Sequence, residues 1–189
     1  ADPPPALKHA ARRLQDGLRR ARLNTPDLLV TLVDIAASPL PAESPSRTGL
    51  DGDQAHRVLV RRGKVWLLGH GPLGVAYAVE RFRDQVLGLD PLAPWTGLAD
   101  RPAAALPATY DLTVGAPRFA HRIFFENDAD ELLWHYGRRL QLERKGWRDL
   151  VDTLIALGYS GLQPFDSLGR SEFWSWEHYT THCAWKFDH

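Results

Sequence analysis

Four side chains in the second half of the chain have the types and spacing to do chemistry on a bound polar molecule: Glu126, Asn127, Asp128 and Asp166. The first three close a segment that begins at Ala120, in which Ala120, Arg122, Phe124 and Glu126 share one face of a strand and His121, Ile123, Phe125 and Asn127 share the other. Asp166 closes a second apolar segment, Tyr159 to Phe165. Between them Trp147, Leu150, Val151, Leu154 and Ile155 recur at helical spacing, and Gly158 supplies a stop. Strand, helix and strand in this order predict a right-handed βαβ unit. Both strands then end on the same edge, where α/β barrels assemble their active sites. Asn127 and Asp128 equally suit the cap of a helix starting near Ala129, and acids at 128, 130 and 131 sit where a helix N-terminus favours negative charge. The sequence leaves both readings open.

Two other constellations carry weaker signals. Gly69-His70-Gly71-Pro72-Leu73-Gly74 matches the spacing of a dinucleotide-binding turn, which needs an acidic residue about 20 positions later at the end of a second parallel strand. Asp90 has that spacing, but it lies in Gly88-Leu89-Asp90-Pro91 with no strand before it. The expected role of these glycines is a sharp strand-to-helix turn, with Gly74 bringing the helix close to the sheet. His178, His182, Cys183 and His189 include good zinc ligands, yet their spacing follows no strong zinc pattern, and no metal site is expected.

The elements that must position these groups fall into two stretches. Leu7, Ala11, Leu14, Leu18 and Ala21 mark one stripe of a helix over residues 6–23, whose basic face of Lys8, Arg12, Arg13, Arg19, Arg20 and Arg22 reads as solvated. Leu28 to Val33 predicts a buried strand. After a loop rich in Pro, Ser, Gly and Asp, residues 56–62 and 64–68 predict a hairpin turning at Arg62-Gly63. A helix follows over residues 73–86 and stops at Gly88. The expected organisation is a small α/β accessory domain over residues 1–90, a Pro- and Ala-rich linker over 91–116 in which Tyr110 to Val114 forms a short strand or an extended crossing, and a barrel opening over 117–189. A complete (β/α)₈ barrel takes about 250 residues. The fold class expected is therefore α/β: an α+β accessory domain followed by the first βαβ part of an incomplete, truncated TIM barrel.

Composition narrows the partners. The 189 residues carry 23 basic and 23 acidic side chains, so no global field draws the chain to nucleic acid or an anionic membrane, and neither is expected as a partner. No apolar run reaches the length of a bilayer-spanning helix. One cysteine, Cys183, excludes an internal disulfide framework. The chain has no methionine, and Ala1-Asp2-Pro3-Pro4-Pro5 resembles the start of an exported protein after signal cleavage, so the expected location is secreted or periplasmic. Oligomeric state is not legible.

The strand and helix spelled by residues 64–69 and 74–79 resemble those ending the small α/β domain that precedes the barrel in hexosaminidases, α-N-acetylglucosaminidases and α-glucuronidases. Arg122-Ile123-Phe124-Phe125-Glu126-Asn127-Asp128, with Trp147 and Leu154-Ile155-Ala156-Leu157-Gly158-Tyr159, is similar to the first barrel segment of the family 115 xylan α-glucuronidases. Where those families show Asn-Asp-Glu, this chain has Asn127-Asp128-Ala129. The resemblance implies the N-terminal part of a carbohydrate-active enzyme that hydrolyses glycosidic bonds by carboxylate acid/base chemistry, without a cofactor, on a polysaccharide or oligosaccharide. It implies sugar-binding roles for Glu126, Asn127, Asp128 and Asp166. The catalytic acid and base would come from later strands, so these 189 residues alone are expected to be inactive. Phe173, Trp174, Trp176, Tyr179 and Trp185 could stack on sugar faces or cover the barrel. A non-catalytic carbohydrate-binding or interdomain scaffold module is the alternative.

Overall fold

The computed structural model describes residues 3–23, 25–126 and 144–164. They belong to two compact units: one runs to Ala120 and includes Ile155–Gly158, and the other holds His121–Leu154 and the residues from Tyr159 onward. The content is mixed α and β, with a small open sheet in the first unit.

In the first unit, α1 (Pro5–Arg20) is followed by β1 (Leu29–Asp34), β2 (His56–Arg61), β3 (Lys64–Gly69), α2 (Gly71–Arg81), a π-helical turn (Phe82–Val86), the short α3 (Ala93–Thr96) and β4 (Thr109–Val114). The strand order is β1-β3-β2-β4, with β1 parallel to β3 and the other pairs antiparallel. Arg62 and Gly63 both take positive φ, 51° and 73°, which is the two-residue turn whose twist matches a hairpin. β4 lies inside the stretch read as a linker. Its alternation Thr109-Tyr110-Asp111-Leu112-Thr113-Val114 is half-buried at every second residue, and it pairs with β2, which would otherwise present an open edge.

The core forms because period-two and period-3.6 patterns face one another. Val58, Val60, Val65 and Leu67 project from one sheet face onto Val75, Val79 and Phe82 of the α2 region, all essentially inaccessible to water. Burying each such side chain contributes about 1.5–3 kcal/mol. α1 packs on α2 and adds Ala10, Leu14 and Leu18. Covered on two sides, α2 is buried continuously from Gly74 to Glu80, which explains its weak amphipathicity. The second sheet face holds a smaller cluster, Val33, Ile35, Leu50, Ala55 and Leu68, with Leu40 and Trp66 against it.

The basic face of α1 is solvated as expected at Lys8, Arg12, Arg19, Arg20 and Arg22, with Arg20 also pairing with Asp100. It departs from the expectation at Arg13, which is half-buried and donates from Nε and Nη2 to the two Glu80 carboxylate oxygens at 2.7 and 2.9 Å. Arg83, only 3% exposed, donates from Nε to Glu80 at 3.2 Å and from Nη1 to the Arg13 carbonyl. Burial pulls the Arg83 guanidinium below its ordinary pKa while Glu80 pulls it back up. Gly17 leaves the space this guanidinium crosses, since a β-carbon there would lie 2.8 Å from Arg83 Nη1.

The second unit contains β5 (Ile123–Glu126), most of α4 (Arg144–Ala156) and β6 (Gly161–Pro164). β5 and β6 are parallel, with Ile123 opposite Gly161 and Glu126 opposite Pro164. On α4, Leu150, Thr153 and Leu154 are buried, whereas Val151 is 40% exposed.

Candidate functional site

The edge where β5 and β6 end is built by local polar ties that align the two strands at their beginnings. Arg122 N donates to Ser160 Oγ at 2.7 Å, and Ser160 N donates back to the Arg122 carbonyl at 2.8 Å. Beside these ties, the rings of Phe124 and Tyr159 meet edge-to-face at 5.8 Å. With register set there, Glu126 is the last residue of β5, opposite the last residue of β6, at the carboxyl end of a parallel pair. Asn127, Asp128 and Asp166 lie outside the described residues, as do the late aromatic residues and the His178, His182, Cys183 and His189 group.

The first unit has its own polar end, at the carboxyl termini of the parallel strands β1 and β3. Asp34, 7% exposed, closes β1 and accepts hydrogen bonds from Ala36 N and Gly71 N, each at 3.0 Å. Gly71 is the first residue of α2, so the carboxylate of Asp34 occupies the anion-favouring end of that helix. The glycines of the 69–74 turn serve packing. A β-carbon on Gly69 would lie 2.0 Å from Val75 N, and one on Gly74 would lie 2.8 Å from the Ala55 carbonyl, so strand and helix approach too closely for any side chain. This is the role expected for them from sequence. Beside this turn, His70 N donates to the Ala55 carbonyl at 2.8 Å, and the His56 ring bonds the Gln54 carbonyl through Nδ1 at 3.0 Å. His56 also stacks obliquely on Tyr77, with ring centroids 5.6 Å apart. Sequence reasoning did not single out Asp34, Gln54 or His56. Asp34 alone carried a signal, an acid ending an apolar strand just as Asp166 ends another.

A separate open cavity of about 510 Å³ is lined by Asp84, Gly88, Asp90, Leu98, Ala99, Asp100 and Arg101. Its acids are mostly engaged within the protein: Asp90 Oδ1 accepts from Leu92 N at 2.8 Å, and Asp100 accepts from Asp90 N at 3.1 Å while pairing with Arg20. Burial pushes the Asp84 carboxyl above its ordinary pKa. Among the described residues no group of three or more His, Cys, Asp or Glu side chains is arranged to hold a metal ion. Among the same residues, no helix is long and apolar enough to cross a membrane.

The described architecture is thus an α/β unit with a four-stranded mixed sheet, followed in the chain by a parallel strand–helix–strand unit. No family model matches the sequence, and no curated protein matches it. Among solved structures, the chain is similar to a family GH115 4-O-methyl-α-glucuronidase with specificity for decorated arabinogalactans, at a TM-score of 0.68 and 18% identity over 85% of this chain. The matched region is 23% of that enzyme's length. The likeness is one of fold, and it covers a segment of a glycoside hydrolase of mixed α/β content.

Proposed function

We propose that the chain forms the accessory α/β domain and the opening of the catalytic barrel of a glycoside hydrolase, and that Glu126, Asn127, Asp128 and Asp166 form one edge of its sugar site. The observation that carries this reading is the parallel β5–β6 pair with Glu126 at its carboxyl end, within a chain whose fold follows an α-glucuronidase segment. Strand carboxyl ends are where barrels place their sites, and carboxylates and amides there hydrogen-bond sugar hydroxyls. In this reading Glu126, Asn127, Asp128 and Asp166 bind one edge of the sugar, and the acid and base that cleave the bond are assigned to other strands of the barrel. A uronic-acid-decorated polysaccharide is the substrate class, met outside the cytoplasm.

The test is release of 4-O-methylglucuronic acid from decorated arabinogalactan and from glucuronoxylan by the full-length protein, beside its Asn127→Ala and Asp128→Ala variants. Expected are turnover by the parent and a raised KM in both variants. Retention on the polysaccharide without any release would instead make the chain part of a non-catalytic binding or scaffold protein. Release with unchanged KM in both variants would leave Asn127 and Asp128 as helix caps.

A further inference from the structure

The loop before β2 runs beside the end of β4 and the connector that leads from it toward β5, and they meet at three successive points. Gly49 faces Thr113, where a β-carbon would come within 3.0 Å of Cγ2. Gly52 faces Ala116, where a β-carbon would come within 2.9 Å of Cβ. Gln54 faces Ala120, whose carbonyl accepts from Gln54 Nε2 at 3.0 Å. All three loop residues have left-handed backbone, with φ of 79°, 95° and 67°. Two are glycines, for which this conformation is free of steric penalty. Gln54 is not, and a β-carbon disfavours this region. Four hydrogen bonds hold it there: its N–H donates to the His70 carbonyl at 2.9 Å, its carbonyl accepts from His56 Nδ1, and its side-chain Nε2 donates to both Asp53 and the Ala120 carbonyl. The residue is 5% exposed, whereas Phe119 beside its target is 68% exposed.

We infer that residues 49–54 form a clasp on the connector, with Gln54 as its pin, so that the chain leaves the first unit from a fixed point at Ala120, just before β5 begins at Ile123. Residues 115–122 contain no helix or strand, so the clasp and not their own secondary structure holds the connector against the first unit. Gln54 is a positioning residue for the connector in this scheme. The bonds from His70 and His56 root the clasp on the ends of β3 and β2, so connector and sheet share one frame.

Native-state trypsin cleavage after Arg118, followed by intact mass on the full chain, reads the clasp directly. Gln54→Gly keeps the left-handed backbone and deletes only the amide; Gln54→Ala deletes the amide and keeps the backbone penalty. Both variants are expected to speed cleavage after Arg118 about fivefold, the factor that one net hydrogen bond corresponds to, with amide protection in β2 and β3 unchanged. Gln54→Ala should also melt below Gln54→Gly. Unchanged cleavage in both would overturn the inference. So would loss of protection throughout the first unit in both, because Gln54 would then support the core rather than the connector.

Discussion

Replacing Glu80 by Ala should be among the most costly single changes in the first unit, and its size follows from what remains behind. Glu80 is 5% exposed and takes three hydrogen bonds from two guanidinium groups, at 2.7 and 2.9 Å from Arg13 and 3.2 Å from Arg83. Removing the carboxylate leaves Arg83 at 3% exposure beside the like charge of Arg13, with only the more exposed Asp16 carboxylate, 3.7 Å away, to offset it. Breaking one partner of a buried pair costs about 3–5 kcal/mol. The Arg13 side chain is 20% exposed, so water relieves part of its share, and the expected loss is about 3 kcal/mol. In urea, with a slope of about 2 kcal/mol per molar, the unfolding midpoint followed by circular dichroism should fall by about 1.5 M. A triple variant, Arg13→Leu, Glu80→Leu and Arg83→Met, removes the desolvation cost with the charges and should stay within about 1 kcal/mol of the parent. A Glu80→Ala midpoint within about 0.2 M of the parent would refute the reasoning, since it would mean that Arg83 keeps its hydration and α1 does not seal against α2.

Gly17→Ala, a change that normally stabilises a helix interior by about 1 kcal/mol, should here destabilise by a similar amount. The new methyl would meet Arg83 Nη1 at 2.8 Å, Arg83 Cγ at 3.1 Å and Leu87 Cδ1 at 3.2 Å, and thermal melting reads the sign. Gly69→Ala should abolish cooperative unfolding of the first unit, because the obstacle at 2.0 Å is the backbone of Val75 and cannot rotate away; a sharp transition in circular dichroism would contradict this. The hydrogen bond from Arg57 holds the Asp111 carboxyl below its ordinary pKa. A depressed carboxyl stabilises the fold above its unfolded value, about 3.9, and that contribution disappears as pH falls through the folded value. Asp111→Asn should therefore cost less than about 1 kcal/mol near neutrality, the side chain being half exposed, and the gap from the parent should close in acid urea titrations.

Within the described residues, the elements whose signals are local were legible before any fold was known. The hairpin at Arg62-Gly63, the glycine-tight turn into α2 and the strand–helix–strand order around α4 follow from turn chemistry and residue spacing, and the structure places them where expected. β4 was less legible, since six alternating residues in a proline-rich stretch become a strand only when β2 offers an edge. The two glycines of the clasp were visible as letters, but nothing in a one-dimensional pattern says that their left-handed backbone faces Thr113 and Ala116.

The basic residues of α1 mark the same division. Their spacing determined a helix with one apolar stripe, because burial of that stripe depends only on local periodicity. Which of them tucks against a buried acid depends on what another element brings opposite, as Glu80 is brought to Arg13 across 67 positions. So too at the candidate site: the sequence by itself predicted a strand closing on Glu126-Asn127-Asp128 with a parallel partner, and the tertiary structure decided the register, with Ile123 opposite Gly161 and Glu126 opposite Pro164. Such pairings are long-range choices among many compact arrangements, settled by the packing of whole elements rather than by the preference of any one residue.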